Sequence, residues 1–306
     1  MKIIKDGQKR IVKDAVLTLG NFDGLHLGHR LILKKLTKRA AELGAPSIVY
    51  TFEPHPLKIV SPLISPQLIT TLKDKIKLIE ETGVDFIHLA KFTKEFAAKH
   101  PRDFVQDILV NKMNVREVLV GHDYKFGKGK CGTIDYLKKL GLEFGFGVSV
   151  IPAYIKGGKV VSSSRVRALV KSGSVRSAAA LLGRDFVITG KVVRGKNLGK
   201  EIGFPTANLK SKAELIPLKG VYAVYVTIGG KRRKGVMNIG FAPTFEGGSK
   251  KISLEVHILN FNSDIYGREV EVSFIRRLRG EKVFKNAKEL ASRIKIDIKR
   301  ARKILS

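Results

Sequence analysis

The sequence predicts two folding units in series: an α/β unit with a parallel, Rossmann-like sheet, then an antiparallel β-barrel with a C-terminal helix. Two patterns predict this. In the first half, short apolar runs alternate with helical periodicity, as in a parallel sheet covered on both faces. In the second half, strand-like runs follow one another across Gly-rich turns with no helix between them. The 306 residues accommodate two domains of ordinary size.

In the first half, strands are expected at Val16–Leu19, Ser47–Phe52, Phe86–Leu89, Val118–Val120 and Val148–Ile151. Helices are expected at His26–Glu42, Leu72–Glu81, Pro101–Asn111 and Ile134–Leu140, and a further helical stretch spans Val166–Leu182. The boundary is placed at the end of that stretch, giving domains 1–182 and 183–306. Beyond it, strands are expected at Val187–Val193, Gly220–Ile228, Lys234–Ile239, Ile252–Leu259 and Glu269–Arg277. Within Val221–Val226, Tyr222 and Tyr225 are expected to share one face. Asn286–Leu305 reads as an amphipathic helix with Leu290, Ile294, Ile298 and Ile304 as its stripe.

Composition narrows the function. Hydrophobic content of 43% and charged content of 28% describe a globular chain. No apolar run reaches membrane-spanning length, and the opening Met1–Asp6 soon turns polar, so neither a membrane span nor a signal peptide is expected. A single cysteine, Cys131, excludes an intrachain disulfide or a cysteine-rich metal site and points to the cytoplasm. The net charge of +31 invites polyanions, but no nucleic-acid recognition motif accompanies it. Non-specific binding to nucleic acid is expected at low salt, and a specific nucleic-acid partner is not.

The residues that carry chemistry fall into two groups. Gly20-Asn21-Phe22-Asp23-Gly24-Leu25-His26-Leu27-Gly28-His29 lies at a strand-to-helix turn, where free N–H groups and the helix dipole attract anions. Gly20, Gly24 and Gly28 allow close backbone approach to phosphate, and His26 and His29 project from one face of the first turn. Downstream, Ser162-Ser163-Ser164-Arg165-Val166-Arg167 reads as a capped helix start. Arginine there opposes the helix dipole, so a bound anion is the better reason for it. Such a site suits adenylyl transfer, which needs a triphosphate held in line and its developing charge neutralised.

The second group is Gly195–Asn208. Gly195, Gly199 and Gly203 make a flexible loop, and Lys196 and Lys200 supply charge for phosphates. Thr206 and Asn208 offer oxygens for a magnesium ion that keeps some of its waters. In Leu254-Glu255-Val256-His257-Ile258, a period-2 strand puts Glu255 with His257, away from the apolar side chains. A carboxylate aimed into a barrel mouth can take the proton of a primary hydroxyl as phosphate arrives.

Gly20–His29 with Ser162–Arg167 resembles the nucleotidyltransferase signature of the family that makes FAD from FMN. Thr51–Pro56 and Gly121–Gly127 are similar to that family's flavin-lining segments. The resemblance implies that Gly20, Phe22, Asp23, Gly24, His26, Gly28, His29, Ser163, Ser164 and Arg165 hold the nucleotide. It makes His29 and Arg165 catalytic, and puts Asn21, His55 and Asp123 at the flavin. From Gly203-Phe204-Pro205-Thr206-Ala207-Asn208 through Gly235–Gly240, Pro243-Thr244-Phe245, Glu255, Asp264–Gly267 and Phe274–Arg279, the order resembles riboflavin kinases. Their fold is a six-stranded barrel with a C-terminal helix. That likeness implies Mg2+ and ATP at Thr206 and Asn208, and a catalytic base at Glu255. Together the two resemblances imply the bifunctional prokaryotic riboflavin kinase/FAD synthetase family. Its substrates are riboflavin, FMN and ATP, and its products are FMN and then FAD with pyrophosphate.

Overall fold

The computed structural model describes residues 1–6, 12, 14–195, 203–241 and 252–306. Two compact units emerge, Met1–Ser163 and Ser164–Ser306.

In the first unit, β1 (Lys2–Lys5), β2 (Ala15–Leu19), β3 (Ser47–Glu53), β4 (Phe86–Lys91), β5 (Val115–Gly121) and β6 (Gly147–Ile151) form one sheet. Its order is β1-β4-β3-β2-β5-β6, and every neighbouring pair is parallel. The helices are α1 (Leu27–Glu42), α2 (Pro56–Val60), α3 (Leu72–Glu80), α4 (Lys94–Ala97), α5 (Pro101–Phe104) and α6 (Ile134–Phe144). A π-helical stretch, Val105–Lys112, continues α5. Alternation along the strands sorts the core into two layers. Val16, Val49, Ile87 and Leu119 pack with Leu33 and Leu36 of α1 and Ile79 of α3. Leu17, Ile48, Tyr50 and Val118 pack on the other face with Phe104, Leu109 and Leu137. Each such aliphatic side chain contributes about 1.5–3 kcal/mol on burial. Strand order reverses between β2 and β5, which fixes the ligand crevice at their carboxyl ends. A short hairpin, β7 (Ile155–Lys156) with β8 (Lys159–Val160), follows the sheet.

The second unit is a closed antiparallel barrel in the order β10-β13-β12-β11-β14-β9. Its strands are β9 (Phe186–Val193), β10 (Ala207–Ser211), β11 (Gly220–Ile228), β12 (Lys231–Phe241), β13 (Ile252–Ile258) and β14 (Glu269–Arg279). Reading the residues alone missed β10, whose five residues Ala-Asn-Leu-Lys-Ser carry no β-branched run. Tyr222 and Tyr225 do not share a face. Three positions apart in a period-2 strand, they point oppositely. Tyr222 is fully buried against Phe274, with ring centroids 5.4 Å apart, while the Tyr225 hydroxyl donates to the Leu305 carbonyl at 2.9 Å.

Two helices precede the barrel, α7 (Ser163–Lys171) and α8 (Val175–Leu182), where one stretch was expected. The break at Gly173 has φ +78°, and the space a Cβ would take is filled by the Arg277 side chain. Helix α8 packs on β14 and β9. The last helix, α9 (Ala287–Ile304), is capped by the Asn286 side chain, which accepts from the Glu289 N–H. It lays Ile298, Ala301 and Ile304 over Val221, Ala223 and Val236 on the barrel wall. Asp297, 1% exposed, ties α9 to β14 through Arg279 at 2.8 Å.

Candidate functional site

The first site is built where β2 leaves the sheet. His26 is the N-cap of α1, with φ −69° and ψ 173°, and its Nδ1 accepts from the His29 N–H at 3.3 Å. Accepting at Nδ1 puts the neutral ring's proton on Nε2. The His26 and His29 rings stack at 3.7 Å and 15°, and Phe22 meets His29 edge-on at 5.3 Å. Burial, reinforced by His26, holds the His29 pKa well below the ordinary 6.5. Its Nδ1 is buried with no hydrogen-bond partner among the described residues. Phe22 (φ 48°) and Leu25 (φ 38°) are non-glycine residues in the left-handed region, and both are buried. Such conformations cost of order 1–3 kcal/mol and persist where packing over-determines them.

The three glycines serve the protein's own packing. The missing Cβ of Gly20 faces the Phe22 ring at 3.1 Å, that of Gly24 (φ +79°) faces Ile69 at 2.8 Å, and that of Gly28 faces the His26 ring at 3.2 Å. Asp23 is 5% exposed, and its carboxylate accepts from the N–H groups of Ile69 (2.9 Å) and Thr70 (3.2 Å). That carboxylate therefore anchors the loop to the residues ahead of α3. The Asp23 carbonyl accepts from the Ser163 hydroxyl at 2.9 Å, so the Ser-rich segment starts at this loop. Ser164 and Arg165 follow in the first turn of α7, within the second compact unit.

The residues expected at the flavin lie beyond the carboxyl ends of three adjacent strands. Asn21 follows β2 and is exposed, and its carbonyl accepts from the Thr51 hydroxyl at 3.3 Å. His55 follows β3, is 8% exposed and caps α2 by accepting from the Leu57 N–H at 3.2 Å. Asp123 follows β5 and is exposed, 4.0 Å from His122.

The second site lies on the outer face of the barrel, not in its interior. Leu254, Val256 and Ile258 of β13 point inward, while Ser253, Glu255 and His257 alternate outward. Glu255 sits directly across from Asn208 of β10 on one side and Asn238 of β12 on the other. Three oxygen-bearing side chains thus form one row across three strands. Ser253 Oγ donates to Glu255 Oε1 at 2.8 Å, which orients the carboxylate. His257 bonds the Pro205 carbonyl through Nδ1 at 2.7 Å and meets Phe204 edge-on at 5.9 Å, holding Phe204–Thr206 beside the row. Gly195 is required here, because a Cβ would collide with the Asn208 amide. Gly203 has φ +83°. Lys196, Gly199 and Lys200, expected at phosphate, and Pro243-Thr244-Phe245 lie outside the described residues. The donor set of Thr206 hydroxyl, Asn208 amide and Glu255 carboxylate is all oxygen, as a hard cation such as magnesium prefers.

A family model described as FAD synthetase matches residues 8–165, and one described as riboflavin kinase matches residues 182–305. The chain is 39% identical over 283 residues to the bifunctional riboflavin kinase/FMN adenylyltransferase of Escherichia coli (strain K12), spanning 92% of this chain and 90% of that one. It belongs to that family. The corresponding protein of Buchnera aphidicola (subsp. Schizaphis graminum) is 33% identical over 99% of this chain and 98% of its own. Transferase and kinase parts occur in the expected order, and the chain is a flavin-synthesising transferase that uses ATP. A solved structure described as a macrolide-efflux protein from Streptococcus pneumoniae also superposes, with TM-score 0.88, 29% identity and 99% of both chains covered. Among the described residues no helix is long and apolar enough to cross a membrane.

Two residues at the sites escaped the reading of the sequence. Asn238 lies within the Gly235–Gly240 run of the kinase resemblance but was given no role there, and it joins Glu255 only through strand register. Lys75 was legible: with Leu78 and Ile79 it shares the buried stripe of α3, where a lysine is out of place. Its Nζ donates to Thr51 Oγ1 at 3.4 Å and to the Phe52 carbonyl at 3.3 Å. Burial lowers its pKa, against the opposing pull of Glu53 and Asp23.

Proposed function

We propose that the two activities of this family are divided between the two sites, with residues 1–182 working as the FMN adenylyltransferase and 183–306 as the riboflavin kinase. In the kinase step Glu255 takes the proton of the ribityl 5′-hydroxyl, whose oxygen bonds to the γ-phosphorus of ATP as ADP leaves. The row of Asn208, Glu255 and Asn238 supports this reading, since it puts a carboxylate oriented by Ser253 among neutral oxygen donors. Thr206 and Asn208 would hold Mg2+, with Gly195, Lys196, Gly199, Lys200 and Gly203 about the phosphates. When bound, the ion would supply neutralisation of phosphate charge.

In the adenylyl step an oxygen of the FMN phosphate bonds to the α-phosphorus of ATP, and the bond to the β-phosphate breaks to release pyrophosphate. His26, His29, Ser163, Ser164 and Arg165 stabilise the charge that develops. Without substrate, burial and the neighbouring His26 lower the His29 pKa, and negative phosphate beside the ring would favour its protonated, doubly donating form. Gly20, Phe22, Asp23, Gly24 and Gly28 shape the loop, and Asn21, His55 and Asp123 contact the flavin. We place both reactions in the cytoplasm, with riboflavin, FMN and ATP as partners and no specific nucleic acid.

The test supplies each reaction separately to single variants. Glu255→Ala should lose FMN formation and still convert supplied FMN to FAD, and His29→Ala should do the reverse. A folded variant that loses both reactions overturns the division.

A further inference from the structure

Lys75 has a feature that packing does not explain. The residue is 8% exposed, yet its ammonium makes only two long bonds, to Thr51 Oγ1 (3.4 Å) and to the Phe52 carbonyl (3.3 Å). An ammonium has three donors, and no described residue takes the third. Glu53 and Asp23 attract that charge, but burial outweighs them, and an apolar side chain of similar shape is often neutral or better at such a position. The position therefore serves something other than stability.

Its surroundings indicate what. Residues 69–75 grip two different parts of the first site. Ile69 and Thr70 hold the Asp23 carboxylate, and Thr70 Oγ1 also accepts from the Gly24 N–H at 3.2 Å, which fixes the nucleotide loop. One turn into α3, Lys75 holds the carboxyl end of β3, from which the chain runs on to His55. Thr51, which accepts from Lys75, in turn donates to the Asn21 carbonyl at 3.3 Å. A chain of two hydrogen bonds thus joins α3 to Asn21, across the boundary between the nucleotide loop and the flavin-side strand.

We propose that Lys75 is a positioning residue for adenylyl transfer, holding Thr51 and through it Asn21 so that the FMN phosphate lines up with the nucleotide. This rests on the assignment of FMN adenylylation to the first unit. Lys75 itself need not touch substrate. Misplacement of a reacting group by about 1 Å can cost on the order of 10²-fold in rate, so the effect should fall on turnover more than on binding.

The experiment measures both activities and thermal unfolding on the full chain carrying Lys75→Met or Thr51→Val. Lys75→Met should lower kcat for FAD formation at least tenfold while KM for ATP and FMN stays within about threefold. Riboflavin phosphorylation should stay within twofold, and the melting temperature should hold or rise. A residue with only a structural role would lower the melting temperature instead. Thr51→Val should reproduce the loss of kcat without removing the lysine, and the double variant should be no worse than the poorer single one. FAD formation by Lys75→Met within threefold of wild type, or additive losses in the double variant, would overturn the proposal. If Lys75→Met does not fold, Thr51→Val decides: a normal kcat there also overturns it. Wild-type chain that makes no FAD would instead sink the assignment of the reaction itself.

Discussion

The two sites that we propose as cradles for a polyphosphate are built by opposite routes. The transferase site is made of loop: a cap histidine, two strained apolar residues and glycines whose open sides are filled by Phe22, Ile69 and His26. The row proposed for the kinase is made of strand: Asn208, Glu255 and Asn238 face outward because the pleat alternates and the register aligns them. A loop site is held by packing beneath it, so distant core contacts carry over into its geometry. A strand site is held by the ladder and tolerates change off its own face. The difference teaches where each half is vulnerable.

The sharpest break in the comparison is Glu255→Ala. Loss of the proposed general base should lower kcat for FMN formation by about 10²–10⁴-fold with the barrel still folded, as measured by product chromatography and thermal melting. His29→Ala follows, lowering kcat for FAD formation by about 10²–10³-fold through loss of a preorganised donor. Gly24→Ala is next: at φ +79° and 2.8 Å from Ile69, a methyl should destabilise the transferase unit by about 1–3 kcal/mol. It should weaken FAD formation while FMN formation persists, and equal loss of both would erase the distinction between loop and strand.

The smallest effect is in pH. Burial depresses the pKa of His29, and burial together with Lys112 depresses that of His88, which lies 3.1 Å from Asp6. A base with a depressed folded pKa binds its proton more readily when unfolded. Stability is therefore complete above the ordinary value of 6.5 and falls as pH drops below it. Each histidine contributes at most about 1.4 kcal/mol per pH unit. Melting scans from pH 8 to about 5 should show the transferase unit weakening on the acid side, and a flat profile would contradict the buried, neutral histidines.

How legible these sites were follows from how each is made. Gly20–His29 could be read because strand, turn and helix are contiguous, so the two imidazoles meet through local spacing alone. Glu255 could be given the right face from period 2, but the row it joins depends on β10 and on Asn238, and register is not written in either segment by itself. The glycines were visible and their packing partners were not, since Ile69 lies 45 positions beyond Gly24. The bonds of Asp23 to Ile69 and Thr70 were not legible, because nothing local announces those partners. Tyr222 and Tyr225 needed only the strand period applied with care.

The most direct measurement mixes two defective proteins. Glu255→Ala and His29→Ala are incubated with riboflavin, ATP and magnesium, first separately and then together, and the flavins are resolved by chromatography. Separable sites predict unchanged riboflavin from the first, FMN from the second and FAD from the mixture. A mixture that stops at FMN, or either variant making FAD alone, would contradict the account.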